Sequence, residues 1–282
     1  MIDIKFLTQL KRFDLIMRKR ITSNLIGERK SKNKGRGIIF HDHRIYSKGD
    51  DFKAIDWKVY ARTDNLYIKN YEEERNLTVH IVVDSSASMN YGGKIKKFDY
   101  ASMIGIGFAY LAMHNNEKFV LSTFSENLEV FRPKKGMAQL ADIVDYLNNK
   151  KAGGKSKFEG SLAEYKKLIN TKSLVIIISD FLYPPKEVER VIYRFKKNRI
   201  KLVQVLDPTE VRLSVEGDFK LRDLEDNAII KTFISPFMKK KYQEKLDNHN
   251  EELISLASKV GANYYTVNTD TPVFNVFYDI LD

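Results

Sequence analysis

The sequence TVHIVVDSSASM, from Thr78 to Met89, decides the fold class of this chain. It opens with TVHIVV, a run rich in β-branched residues that is typical of a buried strand. A polar loop follows at once and carries Asp84, Ser86 and Ser88. Because open α/β folds bind ligands at the carboxyl ends of their parallel strands, this order predicts a ligand site at the edge of such a sheet.

Strands and helices alternate along the residues that follow. The predicted later strands are 119–124, 128–131, 173–179, 200–206 and 263–267, and the predicted helices are 98–114, 138–148, 159–169, 185–196 and 237–260. The strand at 173–179 is almost wholly apolar, as expected for a strand buried on both faces. Residues 212–234 are predicted to form an antiparallel excursion. The pattern therefore predicts a doubly wound, mainly parallel α/β sheet.

The residues before this domain divide into two parts. In residues 1–34 the apolar positions recur at helical spacing: Phe6, Leu10, Phe13, Met17 and Ile21. This pattern predicts a basic amphipathic helix, followed by a basic loop. We expect the helix to pack on its own domain, with peripheral membrane contact as the alternative. Residues 35–76 carry turn signals at 48–51 and a short strand-like run at 66–69, and are predicted to be a small β-rich extension of the domain at 77–282.

Composition favours a globular protein in a reducing compartment. The 282 residues are 43% hydrophobic and include no cysteine, which excludes a disulfide framework, a thiolate metal site and a cysteine nucleophile. The longest apolar run, 103–113, is far shorter than the ~20 residues of a spanning helix. No signal-peptide pattern is evident. We expect a soluble cytoplasmic protein, with a peripheral position at the inner membrane face as the alternative.

The net charge is +11, from 48 Lys and Arg against 37 Asp and Glu. Basic clusters occur at 29–36, 94–97, 150–157 and 239–241. Such a surface favours acidic partners, namely nucleic acid, anionic lipid or an acidic protein. No cluster is interleaved with aromatic residues as single-strand binders require, so a generally solvated surface is the preferred interpretation and nucleic acid the disfavoured partner.

Further oxygen donors are predicted near Asp84. Asp180 follows the apolar strand at 173–179 and should lie at the same sheet edge, and Ser156 follows two glycines in the loop before a helix. Two carboxylates and three hydroxyls suit a hard cation, Mg²⁺ with Mn²⁺ or Ca²⁺ as alternatives, and leave one coordination position open. As alternatives, Asp180 could cap the next turn and Ser156 could be a helix N-cap.

Two other groups of residues receive a structural interpretation. The acidic group Asp50, Asp51 and Asp56 could form a second metal site, but the preferred interpretation is pairing with arginine, as Asp51 or Asp56 with Arg44 or Arg62. The only tryptophan, Trp57, is expected to be buried and to anchor the extension to the main domain. The five histidines show no metal-ligand spacing, apart from His41 and His43, for which a surface position is expected.

The donor set has the form of a known metal site. Asp84, Ser86 and Ser88, followed by a loop hydroxyl and a strand-end Asp, resemble the metal-ion-dependent adhesion site of von Willebrand factor A domains. That family usually has threonine at the loop position, where this sequence has Ser156, which keeps the oxygen but loses the methyl group. The resemblance implies a cation that binds a protein partner.

A second resemblance covers residues 35–225. The motifs that carry it are Asp42-His43-Arg44-Ile45-Tyr46, Gly49-Asp50-Asp51, Ile55-Asp56-Trp57, Tyr60-Ala61-Arg62-Thr63, Leu66-Tyr67-Ile68-Lys69, Glu73-Glu74-Arg75, Ser179-Asp180-Phe181 and Asp207-Pro208-Thr209-Glu210. They are similar to the MoxR-associated bacterial family with a von Willebrand factor A-like domain, the domain of unknown function numbered fifty-eight. The resemblance implies work with a MoxR-type AAA+ ATPase in protein assembly or maturation.

The predicted function is a non-catalytic, metal-dependent protein-binding module, in which a carboxylate of the partner fills the open position. Catalysis by Ser86 or Ser88 would need a histidine base, and no histidine falls in the loops expected at this edge. The sequence also has no phosphate-binding glycine-rich loop with Lys-Ser. The alternatives are a Mg²⁺-dependent phosphoester hydrolase and a basic binder of nucleic acid or membrane surfaces.

Overall fold

A computed structural model of the chain describes residue 2 and residues 5–13, 34–35, 39–72, 78–131, 136–213, 215–225 and 228–281. Tertiary contacts divide the chain into two compact units. One unit is Leu15–Asn76, and the larger one combines Met1–Asp14 with Leu77–Asp282. All five candidate metal ligands lie in the larger unit.

The elements of the described residues are as follows. The strands are β1 (Lys34–Gly35), β2 (Ile39–Ile45), β3 (Tyr67–Glu72), β4 (Thr78–Asp84), β5 (Lys118–Phe124), β6 (Leu128–Val130), β7 (Leu174–Ser179), β8 (Arg199–Leu206), β9 (Gly217–Arg222), β10 (Ile229–Ile234) and β11 (Asn263–Asn268). The helices are α1 (5–13), α2 (Trp57–Thr63), α3 (Lys97–His114), α4 (Met137–Asn149), α5 (Phe158–Lys166), α6 (Pro185–Arg194), α7 (Pro208–Val211), α8 (Pro236–Lys259) and α9 (Val273–Leu281).

A six-stranded sheet forms the centre of the larger unit, in the order β11-β8-β7-β4-β5-β6. Its strands run parallel except β6, which pairs antiparallel with β5 at one edge. The central strands β4 and β7 are buried over nearly their whole length, as their apolar sequences require. The prediction of a mainly parallel α/β sheet is confirmed, and each predicted strand is present.

Helices cover both faces of this sheet. Val82 of β4 belongs to an apolar core formed with α5, α6 and α8. Its neighbours Ile81 and Val83 point the opposite way, where a methyl group on Gly105 of α3 would lie 3.4 Å from each of them. Side chains alternate along a strand with a period of two, so β4 supplies both cores. Since β4 and β7 are adjacent and parallel, the loops after them meet at one sheet edge.

Two short helices of the larger unit escaped prediction. α7 is a single turn, and α9 follows the last strand and packs against α3. A methyl group on Gly107 of α3 would lie 1.9 Å from the ring of Phe277, so only glycine permits this approach. None of the described helices combines the length and the apolar character that crossing a membrane requires.

The helix α1 packs on its own unit, as predicted. Phe6, Leu10 and Phe13 are all buried. The ring of Phe13 contacts aromatic rings of α9, namely Phe274, Phe277 and Tyr278. Met17 and Ile21, the other predicted apolar positions, lie outside the described residues.

The smaller unit contains the antiparallel sheet β1-β3-β2 and the helix α2. The sheet agrees with the predicted β-rich extension, whereas α2 was not predicted. Its start is fixed by Asp56, whose carboxylate accepts the backbone N–H of Lys58 at 3.0 Å. An aspartate at this N-cap satisfies a backbone donor that the helix leaves unpaired.

The acidic residues Asp50, Asp51 and Asp56 of this unit have structural partners. Arg44 pairs with Asp50 through both guanidinium nitrogens, at 2.5 and 2.6 Å. Asp51 caps a short 3₁₀ turn by accepting the N–H of Lys53 at 3.0 Å. An oxygen of Asp56 lies 2.9 Å from Nε2 of His43. Arg44 is thus paired with an aspartate of this group, namely Asp50, while Asp51 and Asp56 cap a turn and a helix.

The prediction for Trp57 is wrong. Its side chain is 58% exposed and meets the ring of Tyr60 edge-on at 6.0 Å. The buried apolar positions are Ile55 and Ile68, which pair through an isolated β-bridge and are each 4% exposed. Trp57 directly follows the N-cap, so it belongs to the first turn of α2, which leaves its ring exposed.

Candidate metal centre

The loop after β4 gathers three of the candidate ligands. Asp84 ends the strand and is fully buried, and its Oδ1 accepts the N–H of Ser86 at 2.8 Å. A 3₁₀ turn over Ala87–Asn90 follows, and it places the hydroxyls of Ser86 and Ser88 3.1 Å apart. The buried side chain of Met89 anchors this turn. The structure therefore brings Asp84, Ser86 and Ser88 together.

A glycine loop is tied to this first loop by two backbone hydrogen bonds. The N–H of Gly153 donates to the Ser85 carbonyl at 2.9 Å, and the N–H of Ala87 donates to the Gly154 carbonyl at 2.9 Å. Gly154 has a φ of +79°, a conformation that favours glycine. Ser156 follows directly. It is not the helix N-cap, because α5 is capped at Lys157 without a side-chain hydrogen bond.

The third loop, after β7, supplies Asp180, which is 2% exposed. The next residue, Phe181, is fully buried and has a φ of +51°. For a residue with a Cβ this left-handed conformation costs about 1–2 kcal/mol, which the surrounding packing must offset. One carboxylate oxygen of Asp180 accepts the N–H of Leu182 at 3.4 Å. Asp180 thus does cap its own turn, although that contact uses only one oxygen.

Tyr183 joins two of the candidate ligands. Its hydroxyl donates to Oδ2 of Asp84 in a short hydrogen bond, and it lies 2.7 Å from the hydroxyl of Ser156. The ring stacks on Phe158 at 4.3 Å. Burial and the negative charges of Asp84 and Asp180 raise the pKa of Tyr183, so the phenol remains a proton donor. No sequence signal had marked Tyr183 as part of the site.

Lys97 is a second residue that the sequence interpretation missed. It had been assigned to a solvated basic cluster at 94–97, yet its side chain is 1% exposed. Its Nζ lies 3.0 Å from Oδ2 of Asp180 and 2.7 Å from Oε1 of Glu210. Burial alone would lower the pKa of Lys97, but the two carboxylates outweigh it and raise the pKa, so this ammonium group is charged at neutral pH.

The segment Asp207-Pro208-Thr209-Glu210 explains how Glu210 reaches Lys97. The Asp207 side chain caps the start of α7, and Oε2 of Glu210 accepts the N–H of Asp207 at 2.9 Å. These two interactions form a capping box. The cap occupies one carboxylate oxygen and directs the other, Oε1, at the ammonium group of Lys97. Burial raises the pKa of Glu210, while Lys97 opposes that rise.

Negative charge predominates among the described residues of the centre. Asp84, Asp180 and Glu210 are buried or half-buried carboxylates, and Lys97 contacts the last two of them. Burial and the charge of Asp180 raise the pKa of Asp84 to about 6, although hydrogen bonds from Tyr183 and Ser86 act in the opposite direction. The main cause of this rise is burial, which disfavours the charged form of a carboxyl group. The nearby serine and carboxylate oxygens are the hard donors that Mg²⁺ prefers.

The donor set is poor in carboxylates for a metal site. Within the described part of the chain, no three His, Cys, Asp or Glu side chains are grouped so that they could hold a metal ion. A cation at this edge would therefore depend on the hydroxyls of Ser86, Ser88 and Ser156 as much as on Asp84 and Asp180.

The centre opens into a cleft of about 370 Å³. Ser88, Asp180 and Tyr183 line it on the side of the sheet. The turn of the β9–β10 hairpin lines the other side with Arg222, Asp223, Leu224 and Glu225. Burial raises the pKa of Glu225, and a hydrogen bond from the backbone N–H of Ser156 opposes that rise.

A histidine does reach this edge, although none was expected in its loops. His249 projects from α8, and its Nε2 lies 2.8 Å from the carbonyl oxygen of Phe181. A carbonyl oxygen can only accept, so this nitrogen carries the proton. It therefore cannot take a proton from Ser86 or Ser88.

Residues 42–252 match the family described as "Protein of unknown function DUF58". This range contains the five candidate ligands together with Lys97, Tyr183, Glu210 and Glu225. Two uncharacterized proteins, one from Mycobacterium bovis and one from Mycobacterium tuberculosis strain H37Rv, are each 22% identical to this chain over 273 residues. The aligned part is 95% of this chain and 86% of each of those proteins.

Solved structures similar to this chain include two from Bacteroides. The conserved hypothetical protein BatB from Bacteroides thetaiotaomicron has 14% sequence identity and a TM-score of 0.45, over 73% of this chain and 97% of that one. An aerotolerance-related membrane protein from Bacteroides fragilis has 13% identity and a TM-score of 0.43, over 72% of this chain and 97% of that one.

Proposed function

This chain belongs to the DUF58 family of proteins of unknown function, and we propose that it is a non-catalytic, metal-dependent protein-binding module with a von Willebrand factor A-like fold. Asp84, Ser86, Ser88, Ser156 and Asp180 would hold the cation, Mg²⁺ or else Mn²⁺ or Ca²⁺. A carboxylate of the partner would complete the coordination. The proposed partner is a MoxR-type AAA+ ATPase, with which the protein would act as an adaptor in protein assembly or maturation.

The buried Asp84 carboxylate carries this proposal. It ends a central strand, lies among hydroxyl groups and has a pKa raised to about 6 by burial and by Asp180. Hydrogen bonds from Ser86, Ser179 and Tyr183 compensate in part for the burial of this carboxylate, but they do not neutralise its charge, and its pKa is still raised. Lys97 contacts Asp180 and Glu210, but no contact between Lys97 and Asp84 is observed. A bound divalent cation would supply the missing positive charge and accept one more oxygen from outside the chain.

The surroundings of the serines argue for binding rather than hydrolysis. The hydroxyls of Ser86 and Ser88 contact each other, and the Ser156 hydroxyl contacts Tyr183. A serine nucleophile needs an acceptor for its proton, and a phenol whose pKa is raised cannot serve as that base. Hydrolysis of a generic phosphate ester that depends on Asp84 would contradict this part of the proposal.

The metal dependence is tested with Asp84→Asn. The hydroxyls of Ser179 and Tyr183 both donate to Oδ2 of Asp84, and asparagine keeps an oxygen that can accept from them but loses the charge needed for a cation. Wild-type protein should gain about 2.7 kcal/mol of unfolding free energy at a Mg²⁺ concentration one hundred times the Kd. The Asp84→Asn variant should gain almost none, and Asp142→Ala, on the exposed side of α4, should behave as wild type. Equal Mg²⁺ stabilisation of all three proteins in denaturant titrations would place the cation elsewhere.

The partner is tested with purified MoxR-type ATPase and variants of this chain. A chelator alone would mislead, because such an ATPase needs Mg²⁺ for its own nucleotide. Asp84→Asn should abolish binding to the ATPase. Ser156→Ala should weaken it about fivefold, roughly 1 kcal/mol, and largely preserve Mg²⁺ affinity, because four protein oxygens remain. ATPase affinity equal in wild type and both variants would separate the interaction from the metal centre.

A further inference from the structure

The β9–β10 hairpin lies between α7 and α8 and is not part of the central sheet. Its two strands pair with each other from Gly217 opposite Ile234 to Arg222 opposite Ile229. At the turn, the N–H of Asp223 donates to the carbonyl of Ala228 at 2.8 Å, and the N–H of Glu225 donates to Oδ1 of Asp223 at 2.7 Å. These bonds fix the backbone from which the Glu225 side chain projects.

Glu225 reaches the candidate metal centre. The backbone N–H of Ser156, one of the five candidate ligands, is near enough to this carboxylate to lower the pKa of Glu225 against the effect of burial. Glu225 also lines the cleft that Ser88 and Asp180 line from the other side. A carboxylate of this same chain therefore lines the cleft that the carboxylate of a partner would have to enter.

Negative charges predominate around Glu225. Asp180 and Asp223 both disfavour its negative charge, and Lys155 is the cationic side chain that favours it. Lys155 is exposed, so its charge is screened by solvent. Carboxylates held together in a partly buried cleft are stabilised when a divalent ion lies between them.

We propose that Glu225 is an internal ligand for the open coordination position of the candidate centre, so that the β9–β10 hairpin competes with a partner's carboxylate. The inference rests on the proposed metal-dependent function. The hairpin would have to move away before a partner binds. The group that then replaces Glu225 would be a carboxylate side chain of the partner.

The test uses the full chain with Mn²⁺, whose paramagnetism reports the water molecules on the bound ion. Glu225→Gln is compared with Glu216→Gln, which lies just before β9, is largely exposed and removes a carboxylate that pairs with Lys239. Glu225→Gln should bind Mn²⁺ at least about tenfold more weakly. It should also carry one more water on the ion, and added acetate should displace that water. Glu216→Gln should match wild type in all three measurements.

Three outcomes would overturn the inference. Glu225→Gln could match Glu216→Gln in Mn²⁺ affinity and hydration. It could bind more weakly without gaining a water, which would place Glu225 outside the inner coordination shell. Wild type could fail to bind Mn²⁺, or bind it equally well as Asp84→Asn, and the proposed function would then fall too. When Asp84→Asn abolishes Mn²⁺ binding and either of the first two outcomes is found, only the role of Glu225 is refuted.

Discussion

Replacing Lys97 by methionine should strongly destabilise the protein in the absence of divalent ions. The Lys97 side chain is 1% exposed and contacts Asp180 at 3.0 Å and Glu210 at 2.7 Å. Methionine fills a similar volume but leaves two carboxylates without their cation. Removing one partner of a buried ion pair typically costs about 3–5 kcal/mol. With a urea dependence of about 2–3 kcal/mol per molar, the unfolding midpoint of the larger unit should fall by about 1–2 M.

The measurement compares Lys97→Met with Lys96→Met in urea at neutral pH. Lys96 is the exposed neighbour, and its Nζ contacts the side chain of Asn90 at 2.6 Å, so its loss should change the midpoint little. Added Mg²⁺ should stabilise Lys97→Met more than wild type, because the cation then offsets carboxylates that the lysine no longer neutralises. Equal midpoints for the two variants, or an equal effect of Mg²⁺ on Lys97→Met and wild type, would refute this account of the centre.

Three further predictions concern protonation and exposure. A proton competes with the metal for Asp84, whose pKa is about 6 in the metal-free protein. Mg²⁺ affinity measured by calorimetry should therefore fall about tenfold for each pH unit below 6 and stay level above it. Burial and the charge of Lys166 lower the pKa of His80 to about 4, so His80 contributes about 3 kcal/mol of unfolding free energy above pH 6.5 that should be lost as the pH falls to 4. In urea titrations this loss should be absent from His80→Gln and present in the control variant His114→Gln. The fluorescence of Trp57 should be quenched by acrylamide in the folded protein almost as strongly as after unfolding, and a protected indole would contradict its 58% exposure.

The position of the candidate centre could be predicted because it follows from strand order. Asp84 and Asp180 each end an apolar strand, and the carboxyl ends of parallel strands share one edge. The glycines before Ser156 indicated a loop that could approach that edge. These signals are local in the sequence, and one topological rule converts them into spatial proximity.

The remaining residues of the centre could not be predicted, because their roles depend on burial. Lys97 belongs to a run of basic residues, and only the position of the α3 start over the sheet edge removes it from solvent. Glu210 has the pattern of a helix cap, and its second oxygen meets Lys97 only in the folded chain. Tyr183 gives no polar pattern that differs from an ordinary loop tyrosine. Trp57 shows the reverse case, since a large apolar residue predicted to be buried lies exposed at a helix start.

The packing of α1 on α9 has a consequence for synthesis on the ribosome. Phe6 and Phe13 contact Phe274, which is made nearly a whole chain length later. Until then these two rings lack their aromatic partners on α9, and the apolar side of α1 is incompletely covered in every nascent intermediate. Contacts so distant in sequence are slow to form, because the entropy of closing the loop between them must be overcome first. The unit can therefore complete its core only after translation of α9, and a nascent chain stalled before residue 273 would present a basic, amphipathic helix to chaperones and membranes alike.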